Sequence, residues 1–204
     1  MIPEAMLVAA LVILFVADFA TVSKDNRKWL NPLACVLLLP VILSPLLSAT
    51  EVHLFGDMYR NTFGVGIVKS ILAAGTLVVF IQSTTWLYGD YSNSGKHKVM
   101  SLEAEFYMLI ISTLLGMFVM LSSGHFPISF LVLEMASVPL ACVVAFDKHR
   151  NQSAEGAAKF ILTATFSSGV MLYGISLLYG ACGTLYFDDV ALKLQSLVSD
   201  GNIA

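Results

Sequence analysis

FPISFLVLEMASVPLACVVAF, residues 126–146, decides the fold class. These 21 residues hold a single charged side chain, Glu134, and their polar and apolar positions do not alternate. A helix of about 20 apolar residues crosses the ~30 Å hydrocarbon core of a bilayer. A membrane β-strand would instead show a two-residue period. The segment reads as a membrane-spanning helix with one carboxylate inside it.

Working outward, five more runs have the same character. Six spans are predicted, at approximately residues 5–22, 29–47, 63–87, 104–122, 126–146 and 154–181. The composition agrees. Of 204 residues, 57% are apolar and 12% charged, against about 25% charged in a soluble domain. Mean hydropathy is +0.82. A disordered tail, a nucleic-acid-binding module and an ordinary soluble enzyme are excluded on these grounds. The opening MIPEAMLVAALVILFV lacks a basic n-region and reads as a first span, not a removable signal. The expected fold is all-α and integral to the membrane, because backbone polar groups in lipid must be satisfied within a helix or a closed barrel. The chain divides into residues 1–100 with three spans, 101–183 with three more, and a tail at 184–204.

Basic residues predict the orientation. Lys24, Arg27, Lys28, Lys96, Lys98, Lys148 and Arg150 fall in alternate connections, seven of the 11 basic residues, while Arg60 and Lys193 lie on the other side. The positive-inside rule places the seven in the cytoplasm and both termini of the chain outside. Trp29, Trp86, Tyr88, Tyr91 and Tyr107 then fall at the cytoplasmic boundary and Tyr59, Tyr179 and Tyr186 at the outer one, where amphipathic rings settle. The tail carries Leu192, Leu194, Leu197 and Val198 among polar residues. It reads either as a short surface helix or as a frayed end.

An ionisable group at bilayer depth costs about 2.5–3.5 kcal/mol on insertion scales and needs a reason. Glu134 lies eight residues into its span, about 12 Å deep. With no basic residue within ten positions, it is expected to handle protons; the alternative is a neutral carboxylic acid used for packing. Pro139, five residues on, frees a backbone carbonyl nearby. Glu155 and Lys159, at i, i+4 in SAEGAAKFILTATFSSG, share a helix face. They read either as a charged pair inside the bundle that responds to Glu134, or as a lysine snorkelling to the interface beside a surface glutamate. Lys69 and Asp18, near span ends, are weaker candidates, and Lys69 is expected to snorkel. His125 reads as a solvated turn histidine.

Other chemistry is not signalled. Cys35, Cys142 and Cys182 lie far apart, form no Cys/His cluster and read as buried, inert thiols, with no metal site. No phosphate-binding glycine loop, zinc-protease motif or nucleophile triad is present. Gly64 and Gly66 read as a helix-contact pair, and Ser167, Ser168, Gly169 and Gly174 as a small-residue packing face on the sixth span.

Three blocks carry a family resemblance: EFYMLIISTLLGMFVMLSSG (105–124), FLVLEMASVPLACVVAF (130–146) and SAEGAAKFILTATFSSGVMLYGISLLYGACGTLYF (153–187). The stretch from Glu105 to Val190 resembles the antiporter-like membrane subunits, N in particular, of proton-pumping NADH–quinone oxidoreductase, respiratory complex I. Leu133 before Glu134, with Ser137 and Pro139 after it, resembles N more than its sisters L and M. The resemblance implies that Glu134 is the fifth-helix glutamate of a proton path and that Glu155 and Lys159 are the charged pair opening the sixth helix. It implies proton translocation coupled to electron transport, with other membrane subunits and the bilayer as partners, no nucleic acid, and a bacterial inner-membrane location. Flavin, iron–sulfur clusters and quinone chemistry would belong to other subunits, leaving no cofactor in this chain. Family members carry two inverted helix repeats. Six helices amount to an incomplete antiporter-like fold, so a fragment is expected. A subunit of a related cation/proton antiporter or membrane-bound hydrogenase, or a non-catalytic helical scaffold, are the alternatives.

Overall fold

The computed structural model describes residues 2–21, 29–47, 52–54, 56–89, 103–147 and 151–199. The elements in chain order are α1 (Ile2–Thr21), α2 (Leu30–Leu47), β1 (Val52–Leu54), β2 (Tyr59–Asn61), α3 (Phe63–Gly89), α4 (Glu103–Ser122), α5 (Phe126–Val144), α6 (Asn151–Cys182) and α7 (Phe187–Ser199). Helices dominate, as predicted. Five of them, α1, α3, α4, α5 and α6, are long and apolar enough to cross a membrane. The expected second span differs: α2 has a described apolar stretch of only Leu30–Pro45, about 24 Å at helical rise. Pro40 and Pro45 lie inside it, and each removes a backbone donor.

α4 is the spine of the molecule. It touches α1, α2, α3 and α5, and half of its apolar window is buried. The core runs along it: Leu7 and Leu14 of α1, Ala34 and Leu38 of α2, Ala73 and Phe80 of α3, and Tyr107, Ile111, Leu114 and Phe118 of α4. By contrast only 11% of the α6 window is buried, and Leu162, Phe166 and Tyr173 stand exposed along it. A membrane helix has no reason to hide such residues, because lipid is as apolar as a protein core.

Two glycines sit where helices touch. A Cβ on Gly116 would lie 2.9 Å from the Ala136 Cβ, which brings α4 and α5 together. A Cβ on Gly66 would lie 2.9 Å from the Pro45 carbonyl oxygen. Gly64, Gly169 and Gly174 meet nothing within 4 Å, so of the small-residue face expected on the sixth span only Ser168 is buried, and only Gly66 of the expected pair is a contact.

The connection after α2 contains a β-hairpin that the apolar pattern did not announce. Val52 pairs with Asn61 and Leu54 with Tyr59, antiparallel. Its turn holds Gly56 at φ 63° and Asp57 at φ 66°. Gly tolerates that conformation freely and Asp better than most side chains. Gly-Asp between short alternating runs was the available signal. The hairpin lies over the α4–α5 corner, where Gly124 N donates to Met58 O at 2.9 Å. Tyr59 bridges Ser123, and His125 bridges Tyr186 before α7. The tail is therefore helical over Phe187–Ser199, with Val190 buried and Leu192 exposed; Leu197 and Val198 side chains lie outside the described residues.

Candidate functional site

Phe126–Val144 forms one uninterrupted helix from the hairpin end of the bundle, with Pro139 inside it. Glu134 projects from its middle and is half-buried. The Ser137 hydroxyl donates to the Glu134 backbone carbonyl at 3.2 Å. Among the described residues the Glu134 carboxylate itself makes no hydrogen bond or ion pair.

Glu155 and Lys159 do pair with one another. Lys159 Nζ lies 2.5 Å from Glu155 Oε1, with the side chains 72% and 64% exposed on this chain. The i, i+4 geometry puts both one turn apart on an open face of α6. Neither is joined to Glu134. The neighbouring Ala157 is buried, and Gly156 approaches Val144 at 3.8 Å for an added Cβ, while Ala158 is exposed. Close α5–α6 approach is thus confined to that one side.

Lys69 is where the structure departs most from expectation. It does not snorkel. Its side chain is wholly buried and its Nζ lies 2.5 Å from Glu4 Oε1. Ser122 Oγ accepts from the same ammonium at 2.6 Å and Asn61 Oδ1 at 3.4 Å. Tyr59 OH donates to Glu4 Oε1 at 2.9 Å. The ammonium also faces the Tyr59 and Phe118 rings, at 5.5 and 5.8 Å from their centroids. The reason is topological. α1, α3 and α4 converge at this end and β2 closes over them, so Lys69 meets Glu4, Asn61 and Ser122 inside the bundle. Glu4 lay just before the expected first span. A lone acid in the first turn of an apolar helix was the signal that could have found it.

Tyr59 and Tyr107, expected at the membrane boundaries, are both buried. Burial pushes the Tyr59 phenol above its ordinary value. Tyr107 meets Asn31 at the opposite end of the bundle: Asn31 Nδ2 donates to Tyr107 OH at 2.5 Å and to Phe80 O at 3.2 Å. Tyr179 is exposed. Trp29 is partly exposed. The side chains of Trp86 and Tyr88, and all of Tyr91, lie outside the described residues. So do the seven basic residues that predict orientation, Lys24, Arg27, Lys28, Lys96, Lys98, Lys148 and Arg150.

His125 is half-buried, not solvated. Its ring packs edge-on against Tyr186 at 4.8 Å, because the turn is paired with the strand-like residues before α7. Asp18 is half-buried near the end of α1. Of the cysteines, only Cys182 is buried; Cys35 is half-buried and Cys142 exposed on α5, since an apolar thiol needs no shelter from lipid.

At the hairpin surface Arg60 Nη2 lies 2.5 Å from Asp188 Oδ2. The Arg60 guanidinium holds the Asp188 carboxyl below the usual carboxylate range, and Asp188 raises Arg60 in turn.

Residues 123–203 match the family model described as NADH:quinone oxidoreductase/Mrp antiporter, TM. The chain is 49% identical to NADH-quinone oxidoreductase subunit N of Phocaeicola vulgatus over 94% of its own length and 39% of that protein. It is 32% identical to subunit N of Neisseria gonorrhoeae over 93% of its length and 38% of the relative. The chain therefore spans about two fifths of the length of the curated relatives it matches. Among solved structures, respiratory complex I from Thermus thermophilus with bound aureothin contains a chain of the same fold: TM-score 0.69 and 24% identity, over 96% of this chain and 42% of that one. A chain of the membrane-bound sulfane sulfur reductase, an archaeal respiratory membrane complex, aligns with a TM-score of 0.65 at 17% identity, over 93% of this chain and 39% of that one. These matches bear out the antiporter-like fold and the resemblance to subunit N.

Proposed function

We infer that this chain is a portion of an N-type, antiporter-like membrane subunit of an NADH–quinone oxidoreductase and that it takes part in proton translocation. The observation that carries the inference is the 49% identity to a protein of that name across 94% of this chain. The geometry supplies a mechanism. Glu134 sits in mid-helix with no fixed partner among the described residues, the state of a group that loads and releases a proton. Glu155 and Lys159 start α6 as an exposed pair, placed to be opened by another charged group. Separation of Lys159 from Glu155 would make its positive charge available to favour the Glu134 carboxylate, and re-pairing would withdraw it. The chain's role is then electrostatic.

The partners are the other membrane subunits of the complex, and the chain lies in the bacterial inner membrane with the α1 start, the hairpin and α7 on the outer side. Flavin, iron–sulfur clusters and quinone are held by other subunits. The group 101–183 acts as part of an antiporter-like repeat, with 1–100 as a three-helix addition to it.

The test is Glu134→Ala and Glu134→Gln in the full-length subunit within its complex. Proton pumping and coupled quinone reduction should fall while assembly persists. Normal pumping by an assembled Glu134→Ala complex would refute the assignment. The family description also names Mrp antiporters, and the sulfane sulfur reductase likeness shows the fold in another respiratory complex. The second reading is thus a subunit of a related antiporter or reductase. Pumping that survives removal of NADH oxidation but follows a sodium gradient would favour it.

A further inference from the structure

α1, α2 and α3 all meet α4, and the contact carries polar side chains at each end with an apolar stretch between. At the hairpin end stand Glu4, Lys69, Ser122, Tyr59 and Asn61. At the other stand Asn31 of α2, the Phe80 carbonyl of α3 and Tyr107 of α4. Ser122 and Tyr107 are 15 residues apart on α4, about 22 Å. Between them Leu7, Leu14, Ala73, Ile111, Leu114 and Phe118 pack.

Apolar packing of this kind does not choose a register in a bilayer, because the same residues are equally content against lipid. Buried polar groups do choose, because a shift of one turn would leave each of them facing hydrocarbon. The charged end is the stronger selector. It draws on four elements at once: Glu4 from α1, Tyr59 and Asn61 from β2, Lys69 from α3 and Ser122 from α4.

We propose that Glu4 and Lys69, with Ser122 and Tyr59, form a closed charge lock that sets the register of the α1–α3 group on α4. The lock is not a second station for protons. A lysine ammonium has three donors, and all three have acceptors here: Glu4, Ser122, and Asn61 or Tyr59. Its side chain has no exposed surface. Loss of the ammonium's charge would break a satisfied arrangement. Glu134 is the opposite case, half-exposed and without a partner among the described residues. The two ionisable sites therefore divide the work, one holding the bundle together and the other exchanging protons. Only the exchange half of that contrast rests on the function proposed above.

The test is a double-mutant cycle in the full-length membrane protein: Lys69→Met, Glu4→Gln, and both together. Thermal stability after detergent extraction and proton pumping per electron are measured for each. Breaking the pair on one side should lower the folded-to-unfolded ratio by about a hundredfold or more. The double variant should recover most of that loss and pump normally. If the double variant is too unstable to extract, the exchanged pair E4K/K69E is measured instead; it should exceed either of its own single variants, E4K and K69E, in stability. Three results overturn the proposal: single variants as stable as the parent, no gain from either double variant, or a stable E4Q/K69M protein that assembles but does not pump. The stability readout is independent of pumping. Normal pumping by Glu134→Gln would refute the proton assignment and leave the lock standing.

Discussion

Arg60 on β2 and Asp188 in the first turn of α7 are joined, Nη2 to Oδ2, at 2.5 Å. The pair ties the hairpin to the helix that follows α6. On β2, Tyr59 and Asn61 turn inward onto Lys69, and Arg60 between them turns outward, as alternation along a strand requires. One short strand thus covers the buried lysine with one face and holds α7 with the other.

The Arg60–Asp188 pair is partly exposed, so it should respond to salt and acid. Asp188 is held below its ordinary value by Arg60. Its contribution is present above the unfolded carboxylate value of about 3.9 and disappears as pH falls through the lower folded value. Asp188→Asn should lower the melting temperature slightly at pH 7 in low salt. The difference should vanish in ~1 M salt, where the screening length is about 3 Å. A difference that persists in high salt would show that Asp188 acts by packing.

Asn31 and Tyr107 should matter more than any exposed charge. Asn31→Leu leaves the buried Tyr107 hydroxyl and the Phe80 carbonyl without their shared donor. The Phe80 carbonyl still accepts from Ser83 Oγ at 2.8 Å, so a loss of about 1–3 kcal/mol is expected, mainly from Tyr107. Combining Asn31→Leu with Tyr107→Phe should recover part of it, read as thermal stability in detergent. By the same logic Glu155→Gln, in an exposed i, i+4 pair, should cost only about 0.3–0.5 kcal/mol.

Gly116 and Gly169 should separate cleanly. Gly116→Val drives atoms into Ala136 of α5 and should cost about 1–3 kcal/mol by overpacking. Gly169→Ala meets nothing within 4 Å on this chain and should be neutral for the isolated chain. Loss of assembly by Gly169→Ala with the chain itself still stable would locate a partner on that face of α6.

Gly124 should tolerate no side chain. A Cβ there would sit 2.2 Å from the Asp57 carbonyl oxygen. Gly124→Ala should lift the hairpin from the α4–α5 corner and expose the Lys69 ammonium to amine-reactive reagents. Protection of Lys69 equal to that in the parent would count against the hairpin as its cover.

The proposed orientation is open to labelling. In a cysteine-free background, Leu192→Cys on α7 should react with an impermeant maleimide added outside intact cells. Lys148→Cys should react only after the membrane is opened. The reverse pattern would invert the topology.

The sequence alone determined the class of structure, the helix positions and the exceptional place of Glu134. Those follow from local composition: about 20 apolar residues suffice to commit a segment to a membrane helix, and one carboxylate inside such a run is conspicuous without knowing its neighbours. The hairpin had a weaker local signal in Gly56-Asp57. What only the tertiary structure decided is which polar residues meet. Glu4 and Lys69 are 65 positions apart and Asn31 and Tyr107 are 76 apart, and no periodicity links them. Lys69 was expected to reach for the interface, Tyr59 and Tyr107 to lie at it, and His125 to face water. Lys69, Tyr59 and His125 are drawn inward because α1, α3 and α4 converge and the hairpin and the α7 approach close over them, and Tyr107 is buried at the opposite end beside Asn31. In a bilayer the apolar surface that fills most of this sequence is indifferent to partner and register. The few polar groups choose the register, and their pairings exist only once the helices have come together.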